Sequence, residues 1–129
     1  MSKPAPGDNV LDCLVIGAGP AGLTAATYLA RYRRKVVVID GGRSRARWIP
    51  ASHNCPGFPF GVAGNELLQR FRAQADEFAV SIVPTRIDTL TREGEDFVAG
   101  DGRHSWRARQ VILATGVVDR LPEINDVEQ

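Results

Sequence analysis

Six residues near the start of the chain, Gly17-Ala18-Gly19-Pro20-Ala21-Gly22, are spaced as G-x-G-x-x-G, and an acid, Asp40, follows 18 residues after the last glycine. That spacing suits the pyrophosphate and one ribose of a dinucleotide. Gly17 would make the tight turn out of a strand. Gly19 would leave the backbone bare where phosphates must approach, and Gly22 would let a helix pack close to the strand. A helix opening at Pro20 aims free N–H groups and about half a unit of positive charge at the phosphates. The Asp40 carboxylate can accept hydrogen bonds from both hydroxyls of the adenosine ribose.

These residues work only if the right elements hold them. Residues 10–16 form a short apolar run ended by Gly17, the pattern of a central parallel strand buried on both faces. Over residues 20–32, Leu23, Ala26, Leu29 and Ala30 recur at helical spacing. Arg31, Arg33, Arg34 and Lys35 then put positive charge at the helix end, where it opposes the macrodipole. Val36, Val37, Val38 and Ile39 are four β-branched residues closed by Asp40-Gly41-Gly42, which predicts a second buried strand. Strand, glycine turn, helix and strand make one βαβ unit with parallel strands. The motif and the acid are thus in register with the elements they need.

Residues 41–64 lack periodicity and are rich in Gly, Pro, Ser and Arg; a loop this long in a small domain is usually functional or mobile. Asn65 is placed to cap a helix over residues 66–78, with Leu67, Leu68, Phe71, Ala75 and Phe78 on one face. Residues 81–83 and 87–91 read as short strands. Turn signals at Gly94-Glu95-Asp96 and Asp101-Gly102 set residues 97–99 and 105–108 into an antiparallel meander. Residues 111–113 are a further buried strand ahead of Ala114-Thr115-Gly116. The expected fold class is α/β: a Rossmann-like domain with a central parallel sheet and a small antiparallel β-meander, C-terminally incomplete. Residues 1–9 read as a disordered lead-in, and the polar stretch after Gly116 reads as an interrupted domain.

The 129 residues suit one domain, and 43% hydrophobic with 24% charged residues at net charge +1 is an ordinary soluble balance. It gives no global pull toward nucleic acid or an acidic membrane. No apolar run approaches the roughly 18 residues of a spanning helix, and residues 1–8 lack the apolar core of a secretion signal. Cys13 and Cys55 make no C-x-x-C pair; Cys13 reads as a small core residue, and a reducing cytoplasm is the default location. No catalytic residue and no metal-ligand set is expected.

Charge and spacing alone leave NAD and FAD both open. Arg43, Arg45 and Arg47 could hold the 2′-phosphate of NADP, yet Asp40 would repel that same phosphate. Four stretches carry a resemblance that goes further: the glycine-motif segment of residues 15–23, Ser52-His53-Asn54-Cys55-Pro56-Gly57-Phe58-Pro59, Gly64-Asn65-Glu66-Leu67-Leu68, and Val111-Ile112-Leu113-Ala114-Thr115-Gly116. Over residues 15–121 the chain resembles the FAD-binding half of the low-molecular-weight thioredoxin reductases and their relatives among the pyridine nucleotide-disulfide oxidoreductases. The Asn-x-Pro-Gly-Phe-Pro segment is specific to that branch. The Ala-Thr-Gly strand end is shared across two-dinucleotide flavoproteins.

The resemblance implies FAD as cofactor, with roles by position. Gly17, Gly19, Pro20, Ala21 and Gly22 would form the pyrophosphate turn, and Asp40 would take the adenosine ribose, where the family more often has Glu. Gly41, Gly42 and Asn54 would approach the ribityl or ring end. Arg86 and Ile87 would pass the adenine, with Thr115 and Gly116 closing the site near the pyrophosphate. Cys55 stands where the family usually has an aromatic residue. Full-length relatives add a nicotinamide-coenzyme domain with a second glycine motif and, in the reductases, a C-x-x-C pair; neither is present in these 129 residues. NADPH or NADH is therefore expected only with a full-length relative, and this chain alone is expected to be inactive. A homodimer or a complementing second half is the expected partner. The alternatives are a non-catalytic nucleotide-binding module, such as one subunit of a split flavoprotein, and a small NAD-binding domain.

Other side chains have bland readings beside sharp ones. Cys55 near His53 suggests redox chemistry, but no resolving thiol accompanies it, and a substituted aromatic site accounts for it better. His104 reads as a surface residue on an edge strand. Trp48 could cover a ring or a partner, or pack under its loop. The basic residues 31–35 read as a solvated helix end rather than a nucleic-acid patch.

Overall fold

A computed structural model describes residues 9–120; the expected lead-in at residues 1–8 and the tail at residues 121–129 lie outside the described residues. The apolar run forms strand β1 (Leu11–Ile16), followed by helix α1 (Pro20–Arg31) and strand β2 (Val36–Ile39). A single 3-10 turn (Arg45–Trp48) interrupts the loop after β2. Helix α2 (Gly64–Glu77) and strands β3 (Ser81–Val83), β4 (Thr89–Glu93), β5 (Asp96–Gly100) and β6 (Ser105–Leu113) complete the order. The six strands make one sheet in the order β3-β2-β1-β6-β5-β4. β3, β2, β1 and β6 run parallel, whereas β4, β5 and the first half of β6 pair antiparallel. This is the expected Rossmann-like α/β class with its meander.

Both faces of β1 are covered, which explains its unbroken apolar run. Cys13 and Val15 join Leu23 and Ala26 of α1, Val38 of β2 and Ala75 of α2 on one face. On the other face Leu14 packs with Ile39, Ala99 and Ala108, under the meander. Burial pushes the Cys13 thiol up, so this cysteine is a core residue and not a nucleophile. No helix among the described residues is long and apolar enough to cross a membrane.

Four local expectations are corrected. Asn65 does not cap α2: the cap position is Ala63, without a side-chain hydrogen bond, and Asn65 lies inside the helix. The reason is Gly64, whose missing side chain lets the helix start against the 3-10 turn; a Cβ there would stand 1.8 Å from the Ala46 carbonyl oxygen. Residues 105–108 and 111–113 are one strand, because no turn residue separates them and β6 simply changes neighbour along its length. The strand expected over residues 87–91 is displaced to Thr89–Glu93, since Ile87 is drawn into the core beside Leu14 and Ile39. His104 belongs to the β5–β6 turn rather than a strand, although its side chain is exposed as expected.

That turn is organised by Asp101. Its Oδ1 accepts from the Arg103 and His104 backbone N–H groups (2.8 and 2.6 Å), and its Oδ2 accepts from the Thr85 hydroxyl at 2.9 Å. These bonds hold the Asp101 carboxyl well below the usual carboxylate range, the backbone donors contributing most. A carboxylate whose folded pKa is depressed adds stability that is complete above its unfolded pKa and is lost as the pH falls through the folded one. Asp101→Ala is therefore expected to lower the melting temperature at neutral pH, with the gap to wild type closing as the pH drops below about 4. Melting curves of both proteins across that range check this; a gap that stays constant would remove the carboxylate from the account.

Candidate functional site

The C-terminal ends of the parallel strands are tied together by backbone hydrogen bonds. Gly17 N–H donates to the Ile39 carbonyl (2.9 Å), Ala114 N–H to the Ile16 carbonyl (2.8 Å) and Asp40 N–H to the Val83 carbonyl (2.8 Å). The glycine turn stands on this floor. Gly17 has φ +115°, and a Cβ on it would sit 2.0 Å from the Ala114 carbonyl oxygen. A Cβ on Gly22 would sit 1.9 Å from the Gly17 carbonyl oxygen. Two of the three glycines are thus required by close backbone approach, of turn to strand end and of helix to turn.

Gly19 is different. A Cβ there would meet only the Ser44 side chain, at 3.2 Å, so no rigid backbone contact demands a glycine at this position. Gly19 is the cap residue of α1, no side chain caps the helix, and the first turn contains no acid. Pro20 has no N–H, and the N–H groups of Ala21 and Gly22 precede the first intrahelical acceptor. The helix therefore presents unpaired donors and a positive pole at one point, which suits an anion.

Asp40 projects beside this turn. Its Oδ1 accepts from the Gly42 N–H at 2.8 Å and its Oδ2 accepts from the Arg72 guanidinium of α2. Asp40, Gly42, Arg72, Ala18, Ser44 and Arg47 line a cavity of about 370 Å³ together with Asn65, Leu68 and Gln69. A second cavity of about 610 Å³ shares Gly42 and Arg47 with the first. Its walls are Arg43, Arg45, Trp48, Ile49, Pro50, Val117, Val118 and Asp119. The two compartments adjoin, the first polar and the second mixed, with apolar and charged walls. Arg45 Nε donates to Asp119 at 3.2 Å, which ties the loop after β2 to the segment after β6.

The structure brings Asp40, Gly42 and the glycine turn together, with the Thr115 backbone N only 3.2 Å from where a Gly17 Cβ would stand, and it leaves Asn54, Arg86 and Ile87 apart from them. Asn54 accepts from the Ser52 hydroxyl (2.8 Å) and lines neither cavity. Arg86 is exposed with only a long 3.9 Å contact to Asp88, while the Ile87 side chain is packed on the core. Thr115 is exposed and Gly116 takes φ +69° at the exit of β6. Trp48 is 82% exposed, which removes the reading that it packs under its loop. Sequence reasoning missed Ser44, Gln69 and Arg72. The signal for Arg72 was present: it follows Leu68 by four residues, at the margin of the apolar stripe of α2.

A profile described as pyridine nucleotide-disulphide oxidoreductase matches residues 11–129. The chain belongs to that family. Within it, the chain is 36% identical over 117 residues to a thioredoxin reductase of Peptoclostridium acidaminophilum, covering 88% of this chain and 37% of that protein. It is 38% identical over 116 residues to one of Mycolicibacterium smegmatis, covering 87% and 37%. A crystal structure of thioredoxin reductase from Streptococcus pyogenes superposes with TM-score 0.84 at 28% identity, covering 92% of this chain and 39% of that one. This pyridine nucleotide-disulphide oxidoreductase chain is thus thioredoxin-reductase-like, and it spans 37% of the length of the two curated relatives named.

Proposed function

We propose that residues 1–129 are the FAD-binding part of a thioredoxin-reductase-like flavoprotein. The observation that carries this reading is the pair of adjoining cavities that meet at Gly42, the first of them reaching Ala18 of the glycine turn. A polar compartment bounded by Asp40 suits the adenosine ribose and the pyrophosphate. A mixed compartment, with Trp48, Ile49, Pro50, Val117 and Val118 beside Arg43, Arg45, Arg47 and Asp119, suits a flat ring system that has one apolar and one polar end. Gly42 lines both, where the ribityl chain would run, and Gly41 precedes it in the chain. The unpaired N–H groups of α1, with Gly19 bare beneath them, would hold the pyrophosphate. Arg86, Ile87, Asn54, Thr115 and Gly116 remain assigned to the ligand by resemblance.

When bound, FAD supplies the redox chemistry: in full-length relatives it would accept a hydride from NADPH or NADH and pass electrons to a disulfide or similar acceptor. The residues of this chain would bind and orient it. A reducing cytoplasm suits the two free cysteines, Cys13 and Cys55. The direct test is titration of the purified protein with FAD and, separately, with NAD, followed by the flavin's visible absorption and by tryptophan emission. Saturable binding of FAD in preference to NAD is expected. Preferential NAD binding, or none of either, overturns the reading.

Asp40 gives a finer test. Asp40→Ala removes a charged acceptor from the ribose and is expected to weaken FAD binding by about 1.5–3 kcal/mol. FMN lacks the adenosine ribose, so its affinity should fall by much less. Equal losses for the two flavins would show that Asp40 does not face that ribose.

A further inference from the structure

Helix α2 contributes more than core packing. Asn65, Leu68, Gln69 and Arg72 follow one another at helical spacing and line the polar cavity as one wall. From that wall Arg72 reaches Asp40 Oδ2, while the Gly42 N–H holds Oδ1. The Gly42 carbonyl in turn accepts from Arg47 at 2.8 Å. One connected chain of hydrogen bonds therefore runs from α2 through the end of β2 to the 3-10 turn, and Asp40 lies in the middle of it.

This arrangement has two physical consequences for a nucleotide. Each carboxylate oxygen has two acceptor sites, and the protein uses one on each, which leaves one per oxygen for a pair of neighbouring hydroxyls in a fixed plane. The guanidinium also neutralises the carboxylate, which would otherwise repel the pyrophosphate of the same ligand. A purely structural role is a poor account of the pair. Arg72 is 42% exposed and Asp40 17%, α2 is already anchored by Phe71 and Ala75 in the core, and a partly exposed ion pair adds only modestly to stability.

We propose that Arg72 is a positioning residue for nucleotide recognition: it fixes and neutralises Asp40 so that the carboxylate reads the two ribose hydroxyls of the adenosine half. The inference rests on the nucleotide reading above. It assigns to α2 a share in the selection of ribonucleotides over their 2′-deoxy counterparts.

The experiment is a heteronuclear NMR titration of the 129-residue protein with ADP and with 2′-deoxy-ADP, which measures weak affinities and reports folding in the same spectra. In the wild type, ADP is expected to shift the amides of Gly17, Gly19, Gly22 and Gly42, and to bind about tenfold more tightly than 2′-deoxy-ADP. Arg72→Met is expected to reduce that ratio to about threefold or less, with 2′-deoxy-ADP affinity changed far less than ADP affinity. Arg72→Lys, which keeps the charge, should recover part of the ratio. The inference is overturned if folded Arg72→Met keeps the wild-type ratio, or if both nucleotides weaken by the same factor, which would make Arg72 a contact to phosphate charge. ADP that leaves the glycine-turn amides unmoved in the wild type overturns the nucleotide reading itself, and this inference with it. Should Arg72→Met not fold, Arg72→Lys decides alone: an unchanged ratio sinks the inference and a reduced one supports it.

Discussion

Gly22→Val is expected to destabilise this protein strongly, whereas Gly19→Val should leave its stability nearly unchanged but its ligand unheld. At position 22 a Cβ would lie 1.9 Å from the Gly17 carbonyl oxygen, a backbone atom of a turn that has no room for a Cβ beside Ala114 either. Nothing in that stack can swing aside. Overpacking of ordinary cores costs about 1–3 kcal/mol, and a rigid backbone clash belongs at or beyond the upper end. For a domain of this size that lowers the melting temperature by on the order of 10 °C. At position 19 the only neighbour is the Ser44 side chain at 3.2 Å, which can rotate, and φ is an ordinary −81°. Stability should change by less than about 1 kcal/mol, while a branched side chain now occupies the place of the pyrophosphate. FAD affinity should fall at least tenfold, about 1.4 kcal/mol. Thermal melts and flavin dialysis on both variants separate the two roles. A stable Gly19→Val protein that retains flavin would mean the phosphates lie elsewhere.

The second large effect concerns a missing neighbour. β5 pairs with β6 only as far as Phe97 opposite Ala108, so the rest of β6 on that side, residues 109–113, has no strand partner among the described residues. Val117, Val118 and Trp48 are exposed on the walls of the second cavity, and Leu113 is exposed at the end of β6. An open strand edge beside a cavity with exposed apolar walls is an association hazard, and a ligand held there would stay partly open to solvent. The 129-residue chain alone is therefore expected to bind FAD no more tightly than micromolar, about −8 kcal/mol or less favourable. A polypeptide supplying the remaining length of a full-size relative should tighten this at least a hundredfold, about 2.7 kcal/mol, and restore turnover with a nicotinamide coenzyme. Anaerobic stopped-flow of FAD-loaded protein with NADPH or NADH is the check. Rapid bleaching of the flavin by this chain alone would defeat the expectation and require a nicotinamide site within it.

Legibility in the sequence followed the strength of the local physics. β1, α1 and β2 were readable because burial on two faces, a helical stripe and a β-branched run leave few alternatives, and the glycines and Asp40 fall between them in register. The start of α2 was misread, since a capping residue at position 65 looked better than a glycine at 64 whose purpose is contact with a distant loop. β6 was divided in two because its sequence does not announce that one strand serves an antiparallel neighbour and then a parallel one. Arg72 lies at the edge of a legible apolar stripe, but its partner is 32 residues away, and only the packing of α2 against α1 and the 3-10 turn brings the two together.

The hydrogen bonds from Gly17, Ala114 and Asp40 join β1, β2, β3 and β6 at their ends, whereas residues 41–63 are held by a 3-10 turn and the isolated bridge between Ser52 and Val62. In amide-exchange terms the two halves of the site belong to different units. The floor should exchange only when the whole sheet opens, while the wall that carries Trp48 and the three arginines should open on its own. A bound dinucleotide would then leave by way of the wall with its floor intact. Its residence time would be set by how often residues 41–63 lift, largely independently of how stable the sheet beneath them is.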